Sequence, residues 1–132
     1  MLYPMFALVI LTLVVAILMG RVRFSAVKHN RVNPKYFRTN SGYELTAECA
    51  QLERNFSNLF ETPVLFYAVC IAAIAMNVNS SLLQSLAWAY VICRCVHSYI
   101  HITYNHVMHR FGAFIVSLLI LLAMWISLVL MV

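Results

Sequence analysis

The chain has 132 residues, 64% of them hydrophobic and only 10% charged, with a formal net charge of +5 and a mean hydropathy of +0.86. Soluble domains run at about 45–50% apolar and about 25% charged, so the composition excludes a water-soluble domain and predicts one small integral membrane domain over residues 1–132. The positive charge does not point to nucleic acid, because the basic residues cluster between apolar runs, as in a loop beside anionic headgroups.

Leu2 to Met19 carries no charge and is long enough to cross a bilayer. A secretory leader would place its basic residues before the apolar run; here Arg21 and Arg23 follow it, so a true helix is expected. Residues 20–43 read as a polar loop with six basic residues and no acid, broken by the turn signals Asn33-Pro34 and Ser41-Gly42. Residues 44–76 read as one long helix, amphipathic through Glu44, Glu48, Gln51 and Glu53, then apolar from Val64 to Met76, with a kink at Pro63. A short uncharged turn follows, in which Asn79, Ser80 or Ser81 can cap the next helix. The third helix is expected over 82–104, and after a polar connector the fourth over 111–132.

Four spans put residues 20–43 and the connector at His109-Arg110 on one side, and the turn at 77–81, without Lys or Arg, on the other. The positive-inside rule then makes the 20–43 loop cytoplasmic and both termini opposite. The four cysteines, Cys49, Cys70, Cys93 and Cys95, fall inside expected helices and read as small packing residues.

Two polar stripes interrupt this apolar chain. Arg54, Asn58 and Glu61 stand at i, i+4, i+7 on the second helix, and Arg94, His97 and His101 at i, i+3, i+7 on the third, so each set shares one helix face. Tyr90 and Asn105 extend the second stripe. Ionisable groups at membrane depth are costly and turn inward to a pocket or partner. A structural ion pair across helices is one use of them. A metal is another, since His97 and His101 have a two-ligand spacing, but only Glu61 could be the third ligand and Arg94 would repel a cation, so no metal is assigned. A proton-coupled transporter using Glu61 is a third, against which two arginines disfavour a cationic cargo. The mixture of Arg, Asn, Glu, His and Tyr best suits a small molecule with carboxylates and an amine: guanidinium binds carboxylate, carboxylate takes ammonium, and a nearby cation holds a thiol as thiolate. Glutathione has all of these groups.

The segment Glu53-Arg54-Asn55-Phe56-Ser57-Asn58-Leu59-Phe60-Glu61-Thr62-Pro63 resembles the second-helix motif of the MAPEG family, membrane-associated proteins in eicosanoid and glutathione metabolism. Arg94-x2-His97-x3-His101 with the later Arg110 is similar to its third-helix motif, and Gly20-Arg21-Val22-Arg23 to its basic exit from the first helix. The resemblance covers nearly the whole chain. It departs at Phe56, where His is frequent, and at His101, where Tyr is frequent. It implies an all-α, left-handed membrane four-helix bundle that assembles as a homotrimer in contact with membrane lipid. It further implies glutathione as co-substrate, bound between subunits by Arg23, Arg54, Asn58, Glu61, Arg94, His97 and His101. Arg110 would be the catalytic residue that stabilises the thiolate. The implied activity is a glutathione transferase or peroxidase acting on hydrophobic small molecules, either lipophilic electrophiles or lipid hydroperoxides. The alternative is a catalytically silent bundle that holds a lipid or thiol.

Overall fold

The computed structural model describes residues 1–39 and 41–132, and among them all regular structure is helical. The first helix, α1 (Leu2–Lys28), does not stop where the charges begin. A single helical glycine such as Gly20 costs only about 1 kcal/mol, too little to end a packed helix. The stop comes at Asn30, which adopts a left-handed φ of 55° while Asn30 N donates to Val27 O at 3.0 Å and Arg31 N to Ala26 O at 2.8 Å. The expected loop 20–43 therefore begins only after Lys28. At about 1.5 Å per residue α1 is about 40 Å long, against about 30 Å of hydrocarbon, so its charged end reaches the headgroups. A single turn, α2 (Tyr36–Thr39), follows, set up by Asn33 Oδ1 accepting from Lys35 N at 2.9 Å. Asn40, also inside the expected loop, lies outside the described residues.

The expected helix over 44–76 is two helices. α3 (Ala47–Asn58) starts at an N-cap, Thr46, whose hydroxyl accepts from Cys49 N at 3.4 Å, and α4 (Thr62–Ala75) carries Pro63 in its first turn. Proline has no N–H to continue the ladder, and here it breaks the helix at Leu59-Phe60-Glu61 rather than bending it. α4 ends like α1, with Asn77 at φ 54° and Val78 N donating to Ala73 O at 2.9 Å. Ser80 is the cap of α5 (Ser81–Ile102), accepting from Leu83 N at 3.3 Å. α6 (Val107–Val129) starts earlier than the expected Phe111 and leaves a connector of only a few residues.

Three helical stretches are long and apolar enough to cross a membrane: Leu2–Lys28, Ala47–Ala75 through the break, and Val107–Val129. α5 has 22 residues but falls outside that set, because Arg94, His97 and His101 lower its hydropathy. Its buried face runs Leu83, Ala87, Tyr90, Arg94, His97, Ser98, His101, so one stripe changes from apolar to polar near Tyr90. That change divides the bundle. At the apolar end, Leu8, Phe66, Val69, Ala73, Leu83 and Met124 form the main core, with the Phe66 and Tyr90 rings stacked at 4.6 Å. At the other end a small cluster of Ala26, Val32 and Cys49 ties the end of α1 to the loop and α3. Cys49 and Cys70 are buried packing residues as expected, whereas Cys93 is half-buried and Cys95 lies on the outer face of α5.

Candidate functional site

Where α3 and α5 meet, three polar rungs run antiparallel. Gln51 Nε2 donates to the His101 carbonyl, Ser98 Oγ donates to Asn55 Oδ1 at 3.1 Å, and Arg94 Nη2 donates to Asn58 Oδ1 at 2.6 Å and to Asn58 O at 3.2 Å. Residues 51, 55 and 58 follow the same i, i+4, i+7 spacing as 54, 58 and 61 and share Asn58 with it. The seam is thus shifted by three residues, about 60° around the helix, from the stripe that the charged residues mark. Arg94, Asn55 and Ser98 are fully buried. Arg94 also repairs the helix break, because the Asn58 carbonyl at the end of α3 takes one of its N–H groups.

Beside this seam lies a cleft of about 690 Å³, within the roughly 300–1,000 Å³ usual for small-molecule sites. The α3–α4 wall brings Arg54, Asn58 and Glu61 to it; α5 brings His97 and His101; the first turns of α6 bring Arg110 with the apolar Phe111 and Phe114. Tyr36 and Leu45 of the loop close one edge. Six of the eight residues expected at the site therefore line one cavity. The other two stand behind it. Arg94 reaches it only through Asn58, whose Nδ2 lies 3.4 Å from Glu61 Oε2. Arg23 pairs with the cleft residue Glu53 at 2.5 Å and lies over the Phe37 ring at 5.1 Å. Sequence reasoning passed over Gln51, Asn55 and Ser98; their antiparallel match to 101, 98 and 94 was the available signal.

The cleft is electropositive. Among the described residues only Arg23–Glu53 and Arg31–Glu48 form ion pairs, so Arg54 and Arg110 line the cleft opposite one unpaired carboxylate, Glu61, with the buried Arg94 behind them. Arg110 is held by neutral groups: Nη1 lies 2.7 Å from Asn105 Oδ1 and 3.4 Å from His101 Nε2. His97 Nδ1 lies 3.0 Å from the Arg110 carbonyl. A carbonyl only accepts and a guanidinium only donates, so His97 carries its proton on Nδ1 and His101 presents an unprotonated Nε2. Among the described residues, the buried His97 Nε2, His101 Nδ1, and Arg94 Nε and Nη1 have no hydrogen-bond partner. A buried polar atom without a partner costs about 1–3 kcal/mol. No group of three or more His, Cys, Asp and Glu among the described residues is placed to hold a metal.

The three apolar spans and the polar cleft between helices define a class: an integral membrane helical protein with an inward-facing polar site. The model of the MAPEG family matches residues 1–130 of the 132, and the chain belongs to that family. Membership supports, in general terms, a membrane-bound glutathione-related role of the transferase or peroxidase kind. No curated protein and no solved structure matches the chain.

Proposed function

We propose that the cleft binds glutathione and that the protein uses it as co-substrate against lipophilic electrophiles or lipid hydroperoxides. The observation that carries the proposal is the uncompensated charge of the cleft: Arg54 and Arg110 line it without an ion-pair partner, opposite one exposed carboxylate, Glu61. That arrangement suits a ligand with two carboxylates, one ammonium and an ionisable sulfur. Arg54 takes a carboxylate, Arg110 the sulfur as thiolate and Glu61 the ammonium, and Asn58, His97 and His101 supply hydrogen bonds. Arg94 and Arg23 act behind this surface, through Asn58 and Glu53.

In the conjugation reaction the thiol proton leaves to water and Arg110 stabilises the thiolate. The sulfur then gives its electron pair to the electrophilic carbon, forming a C–S bond as the leaving group departs with the electrons of its own bond. In the peroxidase reaction two glutathione molecules are oxidised to the disulfide, and one hydroperoxide is reduced to its alcohol and water. The apolar partner enters from the bilayer past Phe111 and Phe114, both on the cleft wall.

The same reading makes α5 the fourth membrane span of a left-handed bundle. Arg94, His97 and His101 are buried within a single chain, so the polar face that lowers the hydropathy of α5 need not meet lipid. The cleft is open on one side, and a homotrimer would place a neighbouring subunit against it. The positive-inside rule sets the 20–43 segment on the cytoplasmic face, with both termini opposite, in a bacterial inner membrane.

Binding without turnover is the second reading, favoured by His101 standing where a tyrosine hydroxyl is frequent. Two measurements on purified protein separate them: calorimetric titration with glutathione, and glutathione-dependent conjugation of a chromogenic electrophile. The enzyme reading predicts both signals, with conjugation falling by about 10²-fold or more in Arg110→Ala. Binding with no conjugation above that variant favours the silent bundle, and absence of binding removes both.

A further inference from the structure

Asn105 links the end of α5 to the cleft. Its backbone is left-handed at φ 47°, a conformation that Asn tolerates better than most residues, and its N–H closes α5 by donating to Ile100 O at 2.8 Å. With the main chain fixed in this way, its side-chain Oδ1 accepts from Arg110 Nη1 at 2.7 Å. The main chain of Arg110 is anchored separately, by His97 Nδ1 donating to its carbonyl at 3.0 Å. Both side-chain contacts to the guanidinium, from Asn105 and from His101, fall on Nη1, so its other nitrogens stay available to a ligand.

Both partners of the guanidinium, Asn105 and His101, are uncharged acceptors. The charged and titratable groups that share the cleft with Arg110 are Glu53, Arg54 and Glu61 from the α3–α4 wall, His97 and His101 from α5 and Tyr36 from α2; Glu53 is paired with Arg23, and none of them forms an ion pair with Arg110. A carboxylate at position 105 would hold the guanidinium equally well but cancel its charge. An amide holds it and leaves the charge for an incoming anion.

We propose that Asn105 is a positioning residue for Arg110: it aims the guanidinium into the cleft and, by being neutral, preserves the positive charge that ionises the bound thiol. The inference rests on the thiolate role of Arg110 proposed above. Its test uses two variants that both tolerate the left-handed backbone. Asn105→Gly removes the acceptor, and Asn105→Asp keeps its shape and adds a negative charge. The ultraviolet absorbance of bound thiolate is measured against pH in the full-length protein, with kcat and KM for conjugation. Affinity for S-methylglutathione, a thioether that cannot ionise, is measured alongside.

Asn105→Asp should lower thiolate absorbance at neutral pH by about tenfold and move its titration to higher pH, because a carboxylate then neutralises the cation beside the sulfur. kcat should fall in parallel, while affinity for S-methylglutathione stays within about threefold. Asn105→Gly should also lower thiolate absorbance and kcat, by a smaller factor. If the residue merely caps α5, Asn105→Asp behaves as the parent protein, and that result overturns the inference even where Asn105→Gly fails to fold. A parent protein that binds glutathione without a thiolate signal strikes the role of Arg110 itself; a parent signal that Asn105→Asp retains overturns only the role of Asn105.

Discussion

The two ends of this bundle are built by opposite means. At the apolar end α1, α4, α5 and α6 interlock through Leu8, Phe66, Ala73, Leu83 and Met124. Shape is the only information there, because lipid tails are as apolar as the side chains they would replace and supply no driving force of their own. At the polar end α3 and α5 are joined by three directional rungs, Gln51–His101, Asn55–Ser98 and Asn58–Arg94. Register there is set by hydrogen bonding, since sliding one helix past the other would leave buried groups unpaired. The contrast explains why the cleft sits where it does: only the hydrogen-bonded end can hold Arg54, Glu61 and Arg110 at fixed positions around a cavity.

Substitutions at each end should expose the difference. The largest effect is expected for Arg94→Ala. It removes a fully buried guanidinium, strips both Asn58 oxygens of their donor and unplugs the helix break. A loss of about 3–5 kcal/mol is expected from breaking such a buried charged contact. Thermal unfolding in detergent should register it, and glutathione affinity should fall with it. A variant as stable as the parent protein would mean that the seam does not organise this end.

Phe66→Ala comes next. The ring is fully buried against Tyr90. In a soluble core such a truncation costs about 3–5 kcal/mol; here the cost should be smaller, because exposure to lipid carries no hydrophobic penalty. Unfolding should shift while glutathione affinity stays constant. A change in affinity would show that the two ends are coupled.

Glu61→Ala is expected to do the reverse. Glu61 is exposed in the cleft and touches Asn58 rather than Arg94, so the buried guanidinium keeps its contacts and stability should change little. Loss of the contact to the ammonium should weaken glutathione binding by about 10-fold or more, the equivalent of a charged hydrogen bond of about 1.5–3 kcal/mol, as read by calorimetry. The smallest effect belongs to Ser98→Ala, which removes one rung between α3 and α5. Hydrogen bonds between membrane helices average about 0.6 kcal/mol, so a small drop in unfolding temperature with unchanged binding is expected.

The sequence carried more of the spans than of the seam. The uncharged runs at 2–19 and 111–132 located α1 and α6 because transfer of apolar side chains into lipid depends on composition alone. It did not end α1 at the charges, because stopping a helix takes a specific cap, and that cap was Asn30. Pro63 marked a disruption correctly, but whether a proline bends or breaks a helix depends on what satisfies the freed carbonyls. The answer came from Arg94, distant in sequence. The cleft was legible as a set of residues: Arg54, Asn58, Glu61, His97, His101 and Arg110 do line one cavity. The contact face of α3 was not, because 51-55-58 and 54-58-61 are equally good helical stripes, and charge drew attention to the second. In a membrane the amides, one hydroxyl and the buried Arg94 made the joint, and Arg54, Glu61 and Arg110 were left facing the cavity.

Every role proposed for the cleft residues requires glutathione to occupy this cavity. The most direct test is a structure of the full-length protein in lipid or detergent with saturating glutathione. Density for the tripeptide is expected in the cleft, with a carboxylate at the guanidinium of Arg54, its ammonium toward Glu61, and its sulfur within hydrogen-bonding reach of Arg110. Tripeptide density elsewhere, or an unaltered cleft at saturation, would contradict it.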